Sequence, residues 1–350
     1  MISPLQRQVD AGLDRLYGVV PVASTNLYTF KPAEGAEPFD LSAMVQGPDG
    51  LPYVIDRTTK SVYRIGLKNG EATLVVKQGT KNKSGTVANP RYLGVGGQDL
   101  LILDAKNVLW RWRPSNDAGK GTLGKITVNG ARSWGDDVTT IATHLRDANR
   151  GLYNLYVVDP SEQQIRVYFP AADGSGFPAK ATGWLATART VDKMTSMYID
   201  GDVFIAEGGL VERFNRGKSE GWDAAKLDDA LLRPTVDATL VAGEGDFRQG
   251  VVYAYDHANA RVIGYAKADG KLVAQYRLAG DRPDWDDLRG LYVLPGIDQE
   301  PSTLVWLSGT GVHQSVLSAV AAEGTGPSAS PSGSGSPSGK PAAPSASAGS

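Results

Sequence analysis

Apolar and polar positions along this chain fall into a phrase that recurs: a run of strand formers ending on an acidic or small polar residue, a turn, then a second apolar run. The copies are Tyr53-Val54-Ile55-Asp56 with Val62-Tyr63-Arg64-Ile65, Leu101-Ile102-Leu103-Asp104 with Val108-Leu109-Trp110, and Tyr156-Val157-Val158-Asp159 with Ile165-Arg166-Val167-Tyr168. Phe204-Ile205-Ala206-Glu207 with Leu210-Val211-Glu212-Arg213-Phe214 and Tyr253-Ala254-Tyr255-Asp256 with Val262-Ile263-Gly264-Tyr265 follow. A sixth copy, Leu304-Val305-Trp306-Leu307-Ser308 with Val312 to Val316, keeps the apolar runs and loses the acid. The phrase endings lie roughly 50 residues apart, the period of propeller blades built as four-stranded antiparallel sheets. Helical solenoids share that period, but they need apolar residues at i, i+3 and i+4 rather than β-branched and aromatic runs. The pattern predicts an all-β fold, a six-bladed β-propeller.

Each phrase supplies the two middle strands of a blade, and its aspartate bonds the backbone of the turn that follows. A strand precedes the phrase, as in Met197-Tyr198-Ile199, and another follows it, as in Leu272-Val273-Ala274-Gln275-Tyr276. Because the sixth copy stops soon after Leu317, the β-rich stretch Val19 to Phe30 is expected to complete the last blade and close the ring. Ile2, Leu5, Val9, Leu13 and Leu16 recur three or four residues apart, a helical stripe. The helix either packs on a propeller face or ends a longer helical connector. The expected organisation is an amphipathic helix over 1–18, the propeller over 19–320 and a disordered Ser/Pro/Ala/Gly tail over 321–350, whose composition cannot offset chain entropy by burial.

Composition narrows the chemistry. With 36 Lys+Arg against 38 Asp+Glu and no long block of either sign, nucleic acid is not an expected partner. No apolar run approaches the roughly 20 residues that span a bilayer, and the opening residues lack the basic and apolar regions of a signal peptide, so no direct membrane insertion is expected of this chain. A monomer is expected. Zero Cys removes thiolate nucleophiles and zinc ribbons, and His144, His257 and His313 stand in separate copies. No nucleophile elbow, Walker loop or His-Glu-x-x-His stretch occurs.

Between the repeated phrases, acidic pairs stand beside tryptophan: Trp134 with Asp136 and Asp137, Trp222 near Asp223, and Trp285 with Asp286 and Asp287. Together with Trp184 these are the candidate ligand-binding residues. In the functional reading, aromatic platforms and carboxylates ring the channel mouth and take a sugar or a cationic peptide. In the structural reading, the indoles seal neighbouring blades while the aspartates cap turns. Glu207, standing where four other copies have Asp, is a weak candidate metal ligand, and oxygen donors would suit calcium.

Several phrases resemble a known family. Gly151-Leu152-Tyr153-Asn154-Leu155-Tyr156-Val157-Val158-Asp159-Pro160, Gln164-Ile165-Arg166-Val167-Tyr168, Met197 to Ile205 and Val211-Glu212-Arg213-Phe214-Asn215-Arg216-Gly217 are similar to the C-terminal propeller of bacterial membrane proteins that carry a PPM-type serine/threonine phosphatase-like domain. Gln8 to Leu16 resembles the end of that family's helical connector, and Asp287-Leu288-Arg289-Gly290-Leu291-Tyr292-Val293 resembles the entry to its last blade. Asp256-His257-Ala258-Asn259-Ala260-Arg261-Val262 is similar to the NHL-repeat phrase Asp-x-x-Asn-x-Arg-Val. The resemblance implies an extracytoplasmic, sensor-type module that binds a peptide, glycan or protein ligand without catalysis and without a cofactor. The alternative expectation is a hydrolase or lyase with a calcium ion in its channel, as in six-bladed propellers related to gluconolactonases.

Overall fold

The computed structural model describes residues 4–67, 70–115, 117, 120–135, 137–222, 236–279, 283–298 and 300–318; the tail from 321 lies outside the described residues. Six antiparallel sheets follow one another along the chain. Blade 1 comprises Leu41–Gln46, Pro52–Asp56, Ser61–Gly66 and Glu71–Lys77, and blade 2 comprises Pro90–Gly96, Asp99–Asp104, Leu109–Pro114 and Gly121–Val128. Blade 3 is Thr140–Asp147, Leu152–Asp159, Gln164–Tyr168 and Thr182–Gly183; blade 4 is Met194–Ile199, Val203–Glu207, Leu210–Asn215 and Lys218–Ser219. Blade 5 is Ala238–Gly243, Val251–Asp256, Arg261–Ala266 and Leu272–Leu278. Blade 6 takes Gly290–Leu294, Thr303–Leu307 and Gly311–Val316 from the end of the chain and Thr25–Thr29 from its beginning. The first strands of the blades touch one another in succession, and the first strand of blade 6 returns to that of blade 1, so the ring is closed around a channel.

The period-2 geometry of a strand explains why the second strands read as unbroken apolar runs. In blade 2, Leu100 and Ile102 enter the core shared with blade 1, while Leu101 and Leu103 enter the core shared with blade 3. In blade 3, Leu155 and Val157 face blade 2 while Tyr156 and Val158 face blade 4. The described residues form six apolar clusters, one at each seam, so the core is a set of wedges between sheets.

In blades 1, 2 and 5 the acid that ends the second strand closes the turn after it and ties in the chain entering the blade. The Asp104 carboxylate accepts from Ala88 N at 2.9 Å, Lys106 N at 2.9 Å, Val108 N at 3.1 Å and Trp110 Nε1 at 2.8 Å. Asp56 accepts from Asp40 N and Thr59 N, both at 2.7 Å. In blade 5, Asp256 accepts from Asp237 N at 2.9 Å, Asn259 Nδ2 at 2.9 Å and Arg261 Nε at 2.7 Å. The Asp-x-x-Asn-x-Arg spacing thus lets one carboxylate gather the Asn259 and Arg261 side chains of its own turn, while His257 turns to Asp237.

The stretch Val19 to Phe30 divides between two blades. Thr25–Thr29 pairs antiparallel with Gly311–Val316 as the fourth strand of blade 6, closing the ring as its position predicts. Val19–Val22 instead pairs parallel with the outer strand of blade 5, Val19 against Gln275 and Val22 against Leu278. Ahead of it, helix α1 (Pro4–Leu16) is fastened to blade 5, since Gln275 Nε2 donates to Tyr17 O at 2.8 Å and buried Arg277 pairs with Asp14. Among the described residues, no helix is long and apolar enough to cross a membrane.

Candidate functional site

Six first strands side by side leave a central cavity of about 500 Å³. Its middle is lined by apolar side chains such as Met44, Ile141, Met197 and Leu291, and one end carries the hydroxyls of Ser42, Thr139 and Thr195. Tyr292 also lines it, buried, with a hydroxyl that has no partner among the described residues. Among the described lining residues the charged ones are Arg57, Arg91 and Arg289, and all three belong to the end where the first strands begin.

The fold places each arginine differently. Arg57 follows Asp56 in the first turn, its side chain is 69% exposed, and one guanidinium nitrogen lies 4.0 Å from the Asp40 carboxylate. Arg91 is the second residue of blade 2, with Nη2 3.4 Å from both Tyr92 Oη and Val138 O and its guanidinium carbon 5.2 Å from the Tyr92 ring centroid. Arg289 immediately precedes blade 6; it donates to Leu41 O at 2.8 Å and to Asp287 Oδ2 at 2.8 Å, and pairs with Asp40. Asp287 first, then Asp40, raise the pKa of Arg289, so this guanidinium stays charged in any solution the fold tolerates. The mouth therefore holds one arginine locked by two carboxylates, a second within reach of Asp40, and a third packed on Tyr92.

The tryptophans occupy the seams. Trp134 is 4% exposed and donates to Tyr168 Oη at 2.5 Å between blades 2 and 3. Trp222, 8% exposed, stands edge-on between Phe204 and Tyr265 and donates to Ala266 O at 3.1 Å, between blades 4 and 5. Trp285, 0% exposed, meets Trp306 at 90° between blades 5 and 6. Trp184 is half-buried, edge-on to Tyr156 and Phe214 at the seam of blades 3 and 4. These rings face neighbouring blades, and the channel mouth is not where the fold puts them. Asp137 and Asp286 are exposed, Asp287 reaches the mouth through Arg289, and Asp136 lies outside the described residues.

Trp184 also constrains the chain beside it. Gly217, at φ +77°, approaches so closely that a Cβ there would sit 1.9 Å from Trp184 O. Gly217→Ala is expected to lower stability by about 1–3 kcal/mol from the left-handed backbone alone, with displacement of the blade 3–4 seam added to it, measured as a fall in the thermal midpoint.

Glu207 is engaged by Arg189, whose other nitrogen holds Glu212 at 3.1 Å. Burial raises the Glu207 pKa, and Arg189 offsets that only in part. Among the described residues no three acidic or histidine side chains gather as a metal would require. A divalent cation in the channel thus lacks a matching set of carboxylate or imidazole donors among them.

Sequence reading had no handle on the arginines. Arg57 and Arg91 stand next to strand ends like many solvated charges, and only the closed ring brings blades 1, 2 and 6 to one opening.

No protein-family model matches the chain, and no curated protein sequence matches it. Among solved structures, the chain is similar to the RRP9 WD40 repeats, with 12% identity and a TM-score of 0.52 over 85% of this chain and 98% of that one. It is also similar to regucalcin of Agrobacterium tumefaciens, described as a calcium-binding protein, with 13% identity and a TM-score of 0.51 over 85% and 95% of the two chains. At these identities the likeness is one of fold.

Proposed function

We propose that the chain is a non-catalytic, sensor-type binding propeller that takes an acidic group of a peptide ligand at the arginine-lined channel mouth. The observation that carries this reading is the charge of the cavity lining: three guanidiniums from three blades, and no lining carboxylate among the described residues. Asp40 and Asp287 hold the Arg289 side chain in place from outside the cavity before a ligand arrives, and Arg57 and Arg91 bring the balance of these five charges to one positive. Arg57 and Arg91 then supply charge-assisted hydrogen bonds to an incoming carboxylate, and the apolar wall below takes its carbon chain. The polarity of this opening is opposite to that required for the cationic peptide expected from the acidic pairs.

A fluorescent peptide bearing glutamates is expected to bind, and its glutamine counterpart to bind much less. Arg57→Ala and Arg91→Ala each remove a charged hydrogen-bond donor, a loss of about 1.5–3 kcal/mol, or roughly ten- to a hundredfold in Kd. Equal binding of the glutamine peptide, or variants that bind like the parent chain, would overturn the reading. A role beside a membrane-anchored phosphatase-like domain, outside the cytoplasm, rests on the sequence resemblance. An in-frame transmembrane helix and phosphatase-like domain encoded upstream of Met1 would support it, and their absence would leave the propeller to act by itself.

A further inference from the structure

A second cavity, of about 370 Å³, opens at the other end of the blades, on the seam between blades 2 and 3. Its construction starts from the segment Pro170-Ala171-Ala172-Asp173-Gly174-Ser175-Gly176, which leaves the third strand of blade 3 and crosses the seam. There Gly176–Phe177 adds a parallel fifth strand to blade 2 beside Thr127 and Val128. A Cβ on Gly176 would sit 2.5 Å from Thr127 O, so the crossing needs glycine. Asp173 Oδ1 accepts from Ser175 N at 2.9 Å and Gly174 N donates to Ala171 O at 3.0 Å, holding the turn.

Two carbonyls of that turn pin arginines. Arg111 Nη1 donates to Gly174 O at 3.0 Å, and Arg150 Nη2 donates to Ala172 O at 2.5 Å. Arg113, two residues along the same strand as Arg111, donates from Nε to Asp99 Oδ1 at 2.9 Å. Buried Asp99 also accepts from Tyr153 Oη at 3.0 Å and lies 3.6 Å from Arg111. These contacts engage a minority of the about fifteen N–H donors on three guanidiniums. Of the carboxylates lining the cleft, Asp99 and Asp173, the first is wrapped by two arginines and the second closes its own turn, so positive charge is in excess.

We propose that this cleft is an anion site for a phosphorylated small molecule, distinct from the channel mouth. The volume falls within the range of small-ligand pockets. The donors come from a strand of blade 2 and from the turn at Arg150 in blade 3, and a tetrahedral oxyanion accepts from several directions where a flat carboxylate accepts chiefly in its plane. The phosphate bridges the two blades that Asp99 and the crossing strand already join.

Calorimetric titration of the full chain with inorganic phosphate at low salt tests the assignment. Saturable one-to-one binding is expected, weakened by about tenfold or more in Arg150→Ala, which removes one charged hydrogen-bond partner. Arg150 is exposed and, among the described residues, its guanidinium bonds the Ala172 carbonyl alone, so the variant is expected to keep its fold, as an unchanged melting curve would verify. Arg150→Lys retains charge without the fork and is expected to bind between the two. Arg57→Ala, at the other end of the channel, leaves phosphate binding unchanged. No saturable heat, equal binding in Arg150→Ala, or acetate binding as tightly as phosphate would overturn the proposal. Loss of phosphate binding in Arg57→Ala with retention in Arg150→Ala would also overturn it, by moving the site to the channel.

Discussion

Arg261→Met is expected to lower the stability of the propeller by about 3–5 kcal/mol, the cost of leaving a buried ion-pair partner uncompensated. Arg261 and Asp256 are both 0% exposed, their Nε–Oδ2 distance is 2.7 Å, and Arg261 Nη1 donates to Gln275 Oε1 at 2.5 Å. Methionine fills most of the arginine volume, so the loss reports charge rather than packing. What remains is a carboxylate in the interior with Asp237 N and Asn259 as donors. The double variant Asp256→Leu/Arg261→Met is expected to recover much of the loss, because it removes both charges and their desolvation. Denaturant unfolding of the parent and both variants measures this. A single variant within 1 kcal/mol of the parent chain, on the order of a surface pair, would mean that the blade 5 turn does not depend on its ion pair.

Two truncations separate the roles of the N-terminal segment. Removing residues 1–23 deletes α1 and the parallel strand on blade 5 but leaves six four-stranded blades and the closing pair of Thr25–Thr29 with Gly311–Val316. That chain is expected to fold with a lowered melting temperature. Removing residues 1–36 also deletes the closing strand and Phe30, which packs in the seam of blades 6 and 1 with Leu41, Val305 and Leu307. The second chain is expected to be insoluble or to unfold without cooperativity, since an open ring exposes an apolar seam and an unpaired strand edge together. Circular dichroism melts and size-exclusion profiles distinguish the two, and equal behaviour would show that the ring does not depend on this strand.

Much of this architecture was legible in the residues. The apolar runs ending in Asp56, Asp104, Asp159 and Asp256 mark second strands because a strand buried on both faces has no polar alternation, and the acid marks the turn because a carboxylate satisfies several backbone N–H groups at once. Position alone predicted that the start of the chain joins the last blade. The division of Val19 to Phe30 between two sheets was not legible, because parallel and antiparallel partners accept the same strand formers. Tryptophan beside acid carries two meanings in sequence, and burial decides between them: Trp134, Trp222 and Trp285 have the bulk to fill a seam. The channel arginines were invisible for a different reason, since Arg57 and Arg289 are far apart along the chain and meet only when the ring closes.

The ring clasp sets an order of events. Val19–Val22 has no partner until Leu272–Leu278 exists, and Thr25–Thr29 none until Gly311–Val316 does. At ordinary rates of translation the leading strands wait roughly 15–60 s for their partners to be made. During that interval blades 1 to 4 can assemble beside an apolar seam that nothing yet covers. The parallel strand, whose partner emerges first, then anchors the leading segment on blade 5 and leaves the closing strand only a two-residue link from it, Ala23 and Ser24, when the last hairpin appears. The extra strand on blade 5 thus acts as a holding point in time, shortening the search that would otherwise join the two ends of a three-hundred-residue ring.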